Sequence, residues 1–130
     1  MAKILIIEDE DLVARMYAEA LKFDGYEVAC AIGGKEGLQK VLTEKPDLVL
    51  LDIMMPEPNG ILVLEEIRKN PELSSLPVIM LTNLSGDHDK ELARVKGAND
   101  YWVKKDINLK QMGKKIEEIL SSSNSELEEG

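Results

Sequence analysis

The sequence predicts one α/β domain, a parallel sheet covered by helices on both faces. Three observations carry this. Short apolar runs recur at residues 3–7, 27–32, 48–52, 77–81 and 101–104, each the length of a strand. Between them the apolar residues shift to helical spacing, so strand and helix alternate five times. Alternation at this spacing implies right-handed crossovers and one parallel sheet, and the connections are too short for a second domain.

Taken in order, Lys3-Ile-Leu-Ile-Ile7 is β-branched and apolar, and it runs into four consecutive acids, Glu8 to Asp11. Val13, Met16, Tyr17, Ala20 and Leu21 then recur at helical spacing until Asp24-Gly25, where the glycine suits a left-handed stop. After the second strand, Gly33-Gly34 opens a helix carrying Leu38, Val41 and Leu42 and ended by Lys45-Pro46. Gly37 inside it costs about 1 kcal/mol relative to Ala. Leu48-Val-Leu-Leu51 reads as a strand buried on both faces, delivering Asp52 to its tip. A Pro-rich loop leads to a helix over 61–69, broken by Asn70-Pro71. The fourth strand ends at Thr82, and a weak helix over 89–96 offers Leu92, Ala93 and Val95 for burial. Tyr101-Trp102-Val103 forms the fifth strand, ending at Lys104. Asn108 with Gln111 resembles a capping box for a last helix burying Leu109, Met112, Ile116, Ile119 and Leu120. The domain is expected over residues 1–121, with 122–130 a disordered or frayed tail rich in Ser and Glu.

Composition excludes several function classes. A formal net charge of −9 argues against direct nucleic-acid binding, which needs a basic footprint, and against anionic membrane surfaces. Apolar runs fall short of a membrane span, and no signal peptide precedes the acids at Glu8. The single cysteine, Cys30, fits a reducing compartment and reads as a structural thiol. A cytoplasmic location is expected. No glycine-rich phosphate loop is present.

In a parallel sheet the strand ends share one edge, where such folds place their ligands. Glu8, Asp9, Asp52, Thr82 and Lys104 all stand there. Close carboxylates repel each other by about 4 kcal/mol per pair at an effective dielectric near 20, so protonation or a cation must hold them together. An oxygen-only donor set without His or Cys suits a hard ion such as Mg²⁺. Lys104 and Thr82 suit a phosphoryl group, and a carboxylate can itself be the nucleophile, giving an aspartyl phosphate. Asp52 is the best placed to attack.

Ile-Glu-Asp-Glu, Leu-Asp-Ile-Met-Met-Pro, Leu-Thr-Asn and Tyr-Trp-Val-Lys, in this order, resemble the four signatures of the receiver domain of two-component response regulators. The resemblance spans nearly the whole chain and implies a flavodoxin-like doubly wound sheet of order 2-1-3-4-5 with five helices. It makes Asp52 the phosphoacceptor and Asp9 a direct Mg²⁺ ligand, with Glu8 acting through water and the Met54 carbonyl as a further ligand. Thr82 and Lys104 would engage the phosphoryl group, and Tyr101 would change rotamer with Thr82. The phosphoryl donor would be a histidine kinase or phosphotransfer protein. Output is expected through a downstream protein that binds the face made by the fourth helix, fifth strand and fifth helix, because no effector domain follows. Such a protein turns over no metabolite but catalyses its own aspartyl phosphorylation and dephosphorylation. Two departures stand out. The family commonly has a cis proline after the lysine, whereas here Lys105 follows; a cis bond before a non-proline costs about 3–4 kcal/mol, so a trans bond is expected. Asn83 stands where many members carry a small residue.

Plainer readings compete. The acids at 8–11 taken alone suit a helix N-terminus, Thr82 a strand-end cap, Lys104 a solvated lysine, Tyr101 packing, and His88 a solvated loop residue rather than a metal ligand. Among other functions, a haloacid-dehalogenase-type phosphatase wants an acid two residues after the nucleophile, where Met54 stands, and a cap domain. A flavodoxin-like electron carrier wants a Ser/Thr-rich phosphate loop where acids stand. A phosphorylation-independent pseudo-receiver would lack part of the acid, Asp, Thr and Lys set, all of which is present.

Overall fold

A computed structural model describes the backbone of residues 1–129 and the side chains of residues 1–122. Strands β1 (Lys3–Ile7), β2 (Glu27–Ala31), β3 (Leu48–Leu51), β4 (Val78–Thr82) and β5 (Asp100–Val103) form one parallel sheet of order β2-β1-β3-β4-β5. Helices α1 (Asp11–Phe23), α2 (Gly34–Glu44), α3 (Gly60–Lys69), α4 (Asp87–Lys96) and α5 (Leu109–Glu129) connect the strands, with a 3₁₀ turn at Pro71–Leu73 that the sequence reading lacks. The order is the expected one.

The sheet splits the core in two. Alternate strand residues point to opposite faces, so Leu5, Ile7, Val49, Leu51, Val78 and Met80 pack under α2 and α3. Ile4, Ile6, Leu48, Leu50, Ile79 and Leu81 pack under α1 and α5. Both faces being covered explains why β1, β3 and β4 read as unbroken apolar runs. Trp102, which the sequence leaves undecided, is buried in the second cluster with its indole N–H on Asp100 Oδ2 at 3.0 Å.

Several local expectations change. Helix α4 starts at Asp87, and of its three apolar residues only Ala93 is buried, while Val95 is 64% exposed. In α1, Met16 is exposed and Tyr17 is buried. At α5, Asn108 caps through its side chain, which accepts from the Lys110 amide at 2.9 Å rather than from the Gln111 amide that a capping box uses. Asn59, unremarked in the sequence, caps α3 by accepting from the Leu62 amide at 3.1 Å. The Lys104–Lys105 bond is trans, the one cis bond among the described residues being Glu57–Pro58. Helix α5 is traced to Glu129, whereas the tail expected over 122–130 falls largely on side chains outside the described residues.

Gly37 has a packing reason. A Cβ there would stand 2.7 Å from both Ile7 Cδ1 and Ile7 Cγ2, since α2 lies close on β1. Gly37→Ala is therefore expected to lower stability by about 1–3 kcal/mol despite its gain in helix propensity. Urea denaturation measures this, and a more stable variant would contradict the close approach.

Candidate functional site

Register brings the reactive side chains together. Ile7 pairs with Leu51, so Glu8 and Asp52 leave neighbouring strands at the same level. Their backbone amides continue the ladder, Asp52 to Ile7 O at 3.1 Å and Glu8 to Ala31 O at 3.1 Å. On the other side Thr82 pairs with Val103, and the Lys104 amide donates to Thr82 O at 2.8 Å. Neighbouring strands lie about 4.8 Å apart, which forces the groups that follow them into one cluster.

Carboxylate oxygens of Glu8, Asp9 and Asp52 lie within 4.8 Å of one another. Glu8 and Asp52 are buried and Asp9 is partly exposed. Lys104 reaches into this cluster, its ammonium donating to Asp52 Oδ2 at 2.9 Å and to Glu8 Oε1. The other Asp52 oxygen accepts from the Met54 amide at 3.1 Å. Gly60 keeps the neighbourhood tight, because a Cβ there would fall 2.1 Å from the Asp52 carbonyl oxygen.

Electrostatics follow from burial. Desolvation pushes the Glu8 carboxyl up from its ordinary 4.5 to about 7, and Asp52 adds to the rise while Lys104 opposes it. For Lys104, burial lowers the affinity for its proton, but the bonds to Glu8 and Asp52 outweigh this, and the ammonium titrates above its usual value. Glu8 Oε2 is buried without a hydrogen-bond partner, the one such side-chain atom among the described residues. A buried orphan acceptor is costly. Three convergent carboxylates and an unpaired buried oxygen suit a hard divalent cation, so the donor set fits Mg²⁺.

Two expected residues stand one step away. Thr82 is fully buried at the end of β4, its hydroxyl oxygen accepting from the Leu84 amide at a long 3.4 Å. Tyr101 lies outside the carboxylate cluster and donates its hydroxyl to the Leu84 carbonyl at 2.7 Å. Burial, with Asp89 and Asp52 nearby, pushes the Tyr101 phenol up to about 12, so it remains a donor. Asn83 and His88 are exposed, and His88 is not part of the carboxylate cluster.

Sequence reasoning missed Arg68. Its half-buried guanidinium donates to Gly97 O at 3.0 Å, Leu73 O at 3.1 Å and Asn99 Oδ1 at 2.9 Å, while Asn99 Oδ1 also takes the Val78 amide at 2.8 Å. This ties the end of α3 to the end of α4 and the start of β4. An arginine at the exposed end of an amphipathic pattern carries no signal for such a role.

Comparison with known proteins points the same way. Residues 4–117 match the family described as response regulator receiver domain. The chain is 36% identical over 121 residues to the alkaline phosphatase synthesis transcriptional regulatory protein PhoP of Bacillus subtilis (strain 168), covering 93% of this chain and 49% of that one. It is 41% identical over 104 residues to the response regulator ArlR of Staphylococcus saprophyticus, covering 80% and 46%. The chain thus spans about half the length of these curated relatives. Its fold is similar to the crystal structure of a CheY-like response regulator receiver domain protein from Methanospirillum hungatei JF-1, with TM-score 0.89, 30% identity, and 97% and 98% of the two chains covered.

The raised Glu8 value has a consequence for stability. The folded state holds this proton more tightly than the unfolded chain, so stability falls as pH rises from about 4.5 to about 7. Metal-free protein is expected to lose on the order of 2 kcal/mol across that window. Urea denaturation at a series of pH values should show the loss in the wild type and its near absence in Glu8→Gln. A parallel pH dependence in both would assign it to other groups.

Proposed function

The chain belongs to the response regulator receiver domain family, and from that premise we propose that it is a phosphoryl-transfer switch with Asp52 as acceptor. The supporting observation is the Lys104 ammonium set between Asp52 and Glu8 among three convergent carboxylates. A carboxylate oxygen of Asp52 attacks the phosphorus of a phospho-histidine on a histidine kinase or phosphotransfer protein. The new O–P bond forms as the P–N bond breaks, and the imidazole leaves. The Met54 amide holds one Asp52 oxygen in place, and Lys104 stands ready for the added phosphoryl oxygens.

Asp9, Asp52 and the Met54 carbonyl would hold Mg²⁺, with Glu8 acting through water. A bound Mg²⁺ supplies charge neutralisation between the carboxylates and the phosphoryl oxygens. The domain catalyses its own phosphorylation and dephosphorylation and turns over no metabolite. A cytoplasmic location goes with this reading, and free Cys30 fits a reducing compartment. No helix among the described residues is long and apolar enough to cross a membrane.

Phosphorylation replaces the single negative charge of the Asp52 carboxylate by a phosphoryl group of about −2, a net gain of about one negative charge placed farther out on the side chain. Thr82 surrenders only a 3.4 Å bond from the Leu84 amide when its hydroxyl turns to the phosphoryl group. Leu84 is also the acceptor for Tyr101, so a shift of this loop alters the Tyr101 anchor and the start of α4. Helix α4 buries only Ala93 and moves at little cost. The phosphoryl group thereby biases an existing equilibrium of the face formed by α4, β5 and α5, where a downstream protein docks.

Incubation with Mg²⁺ and a small phosphodonor, followed by intact mass measurement, tests the proposal. The wild type should gain one phosphoryl group, Asp52→Asn none, and Lys104→Met should slow labelling by about 100-fold. Labelling that persists in Asp52→Asn would move the acceptor elsewhere.

A further inference from the structure

The two ends of α4 are held very differently. At the N-terminal end no side chain caps the helix, and the Lys90 amide reaches Gly86 O at 3.2 Å. The loop before it hangs on Thr82 and Tyr101 through Leu84. The C-terminal end is closed twice by its own backbone, the Gly97 amide on Arg94 O at 3.1 Å and the Ala98 amide on Ala93 O at 2.9 Å. Gly97 takes the left-handed conformation that such a helix stop requires.

Arg68, in the last turn of α3, ties that same end to the rest of the protein. Its planar guanidinium spans three segments at once, donating to Gly97 O at 3.0 Å, Leu73 O at 3.1 Å and Asn99 Oδ1 at 2.9 Å. Asn99 is locked to the start of β4 in both directions. Its amide donates to Val78 O at 2.8 Å, and its Oδ1 takes the Val78 amide at 2.8 Å. Lys96 adds a longer contact to Glu65 of α3 at 3.7 Å. All three Arg68 acceptors are neutral, so the tie depends on the rigid fork of donors rather than on charge. The fit is close: a Cβ on Gly97 would stand 2.9 Å from Arg68 Nε.

We infer that Arg68 makes the C-terminal end of α4 a hinge, so that phosphorylation tilts the helix about Gly97 and displaces its first half. The inference rests on the phosphorylation reading above. When the Thr82 hydroxyl turns to the phosphoryl group, the loop at Leu84 shifts and the pull reaches α4 at Asp87. A helix of 10 residues is about 15 Å long, so a shift of about 2 Å at one end is a rotation of about 8°. Asp87, His88 and Lys90 travel with the moving end, while Lys96 and Gly97 stay within the clamp. A downstream protein then meets a constant surface at the end of α4 and a phosphorylation-dependent one at its start. Without the Arg68 fork both ends are lightly held, and the same pull slides the helix along its whole length instead of tilting it.

Backbone amide NMR with Mg²⁺ and beryllofluoride, a mimic of the phosphoryl group, reads the hinge directly. In the wild type, the shift changes should fall about threefold from Asp87–Lys90 to Lys96–Asn99. Arg68→Met should make them comparable along the helix. So should Arg68→Lys, which keeps the charge but cannot span three acceptors. Changes of equal size at both ends of the wild-type helix overturn the inference, as does a wild-type gradient in either variant. A wild type whose spectrum does not respond would instead sink the phosphorylation reading. Amide hydrogen exchange in the unmodified protein then decides on the clamp independently. The Ala98 amide should exchange about tenfold more slowly than the Lys90 amide, and Arg68→Met should remove most of that difference while the Val49 amide of β3 keeps its rate. Equal exchange at the two ends of the wild-type helix overturns the hinge whether or not the variants fold.

Discussion

One ammonium group and two buried carboxylates govern this molecule. Strands β1 and β3 are neighbours whose last paired residues are Ile7 and Leu51, and an acid follows each. Nothing in the sheet allows Glu8 and Asp52 to separate without breaking the ladder hydrogen bonds that extend through both residues. Lys104, arriving two strands away, supplies the charge that makes this arrangement tolerable. Breaking such a buried cluster by removing one partner leaves an uncompensated charge, a far larger penalty than losing an exposed ion pair. The exposed pairs elsewhere, such as Arg15 with Asp11, contribute little by comparison.

The cluster is poorly optimised as a structural device, and that is informative about its use. A core built for stability alone would place apolar side chains at the end of β3, as the preceding four positions do. Here burial raises the Glu8 carboxyl to about 7, and one of its oxygens has no partner. A site that is underprovided with positive charge is ready to accept more of it. The same deficit ties protonation, cation binding and the Lys104 ammonium to one another, since each relieves the same repulsion.

Rigidity is distributed unevenly around that site. Arg68 clamps the C-terminal end of α4 through Gly97 and Asn99, using neutral oxygens that satisfy its half-buried guanidinium. Toward the N-terminal end, α4 has no side-chain cap, and the preceding loop is held by the Tyr101 bond to Leu84 and the long Thr82 contact. A helix fixed at one end and lightly held at the other can pivot. The lightly held end is the one nearer Thr82.

Much of this was legible in the residues themselves. Apolar runs of four or five residues determined the strands, because burial on both faces removes the polar alternation that would otherwise obscure them. The identity of Asp52, Glu8, Asp9, Thr82 and Lys104 as strand-end groups followed from the same runs, since the backbone of a strand carries whatever stands next in sequence to the sheet edge. Met16 and Val95 sit at helical spacing yet are exposed, because such spacing defines a stripe without saying how wide the covering surface is. Arg68 carries no such signal. Its partners Gly97 and Asn99 are distant in sequence, and hydrogen bonds across such distances leave no periodic trace. Sequence determined which chemistry reaches the edge of the sheet. Tertiary structure decided which oxygen takes the ammonium, which is left without a donor, and which end of α4 is tied down, because those depend on contacts between elements that only packing brings together.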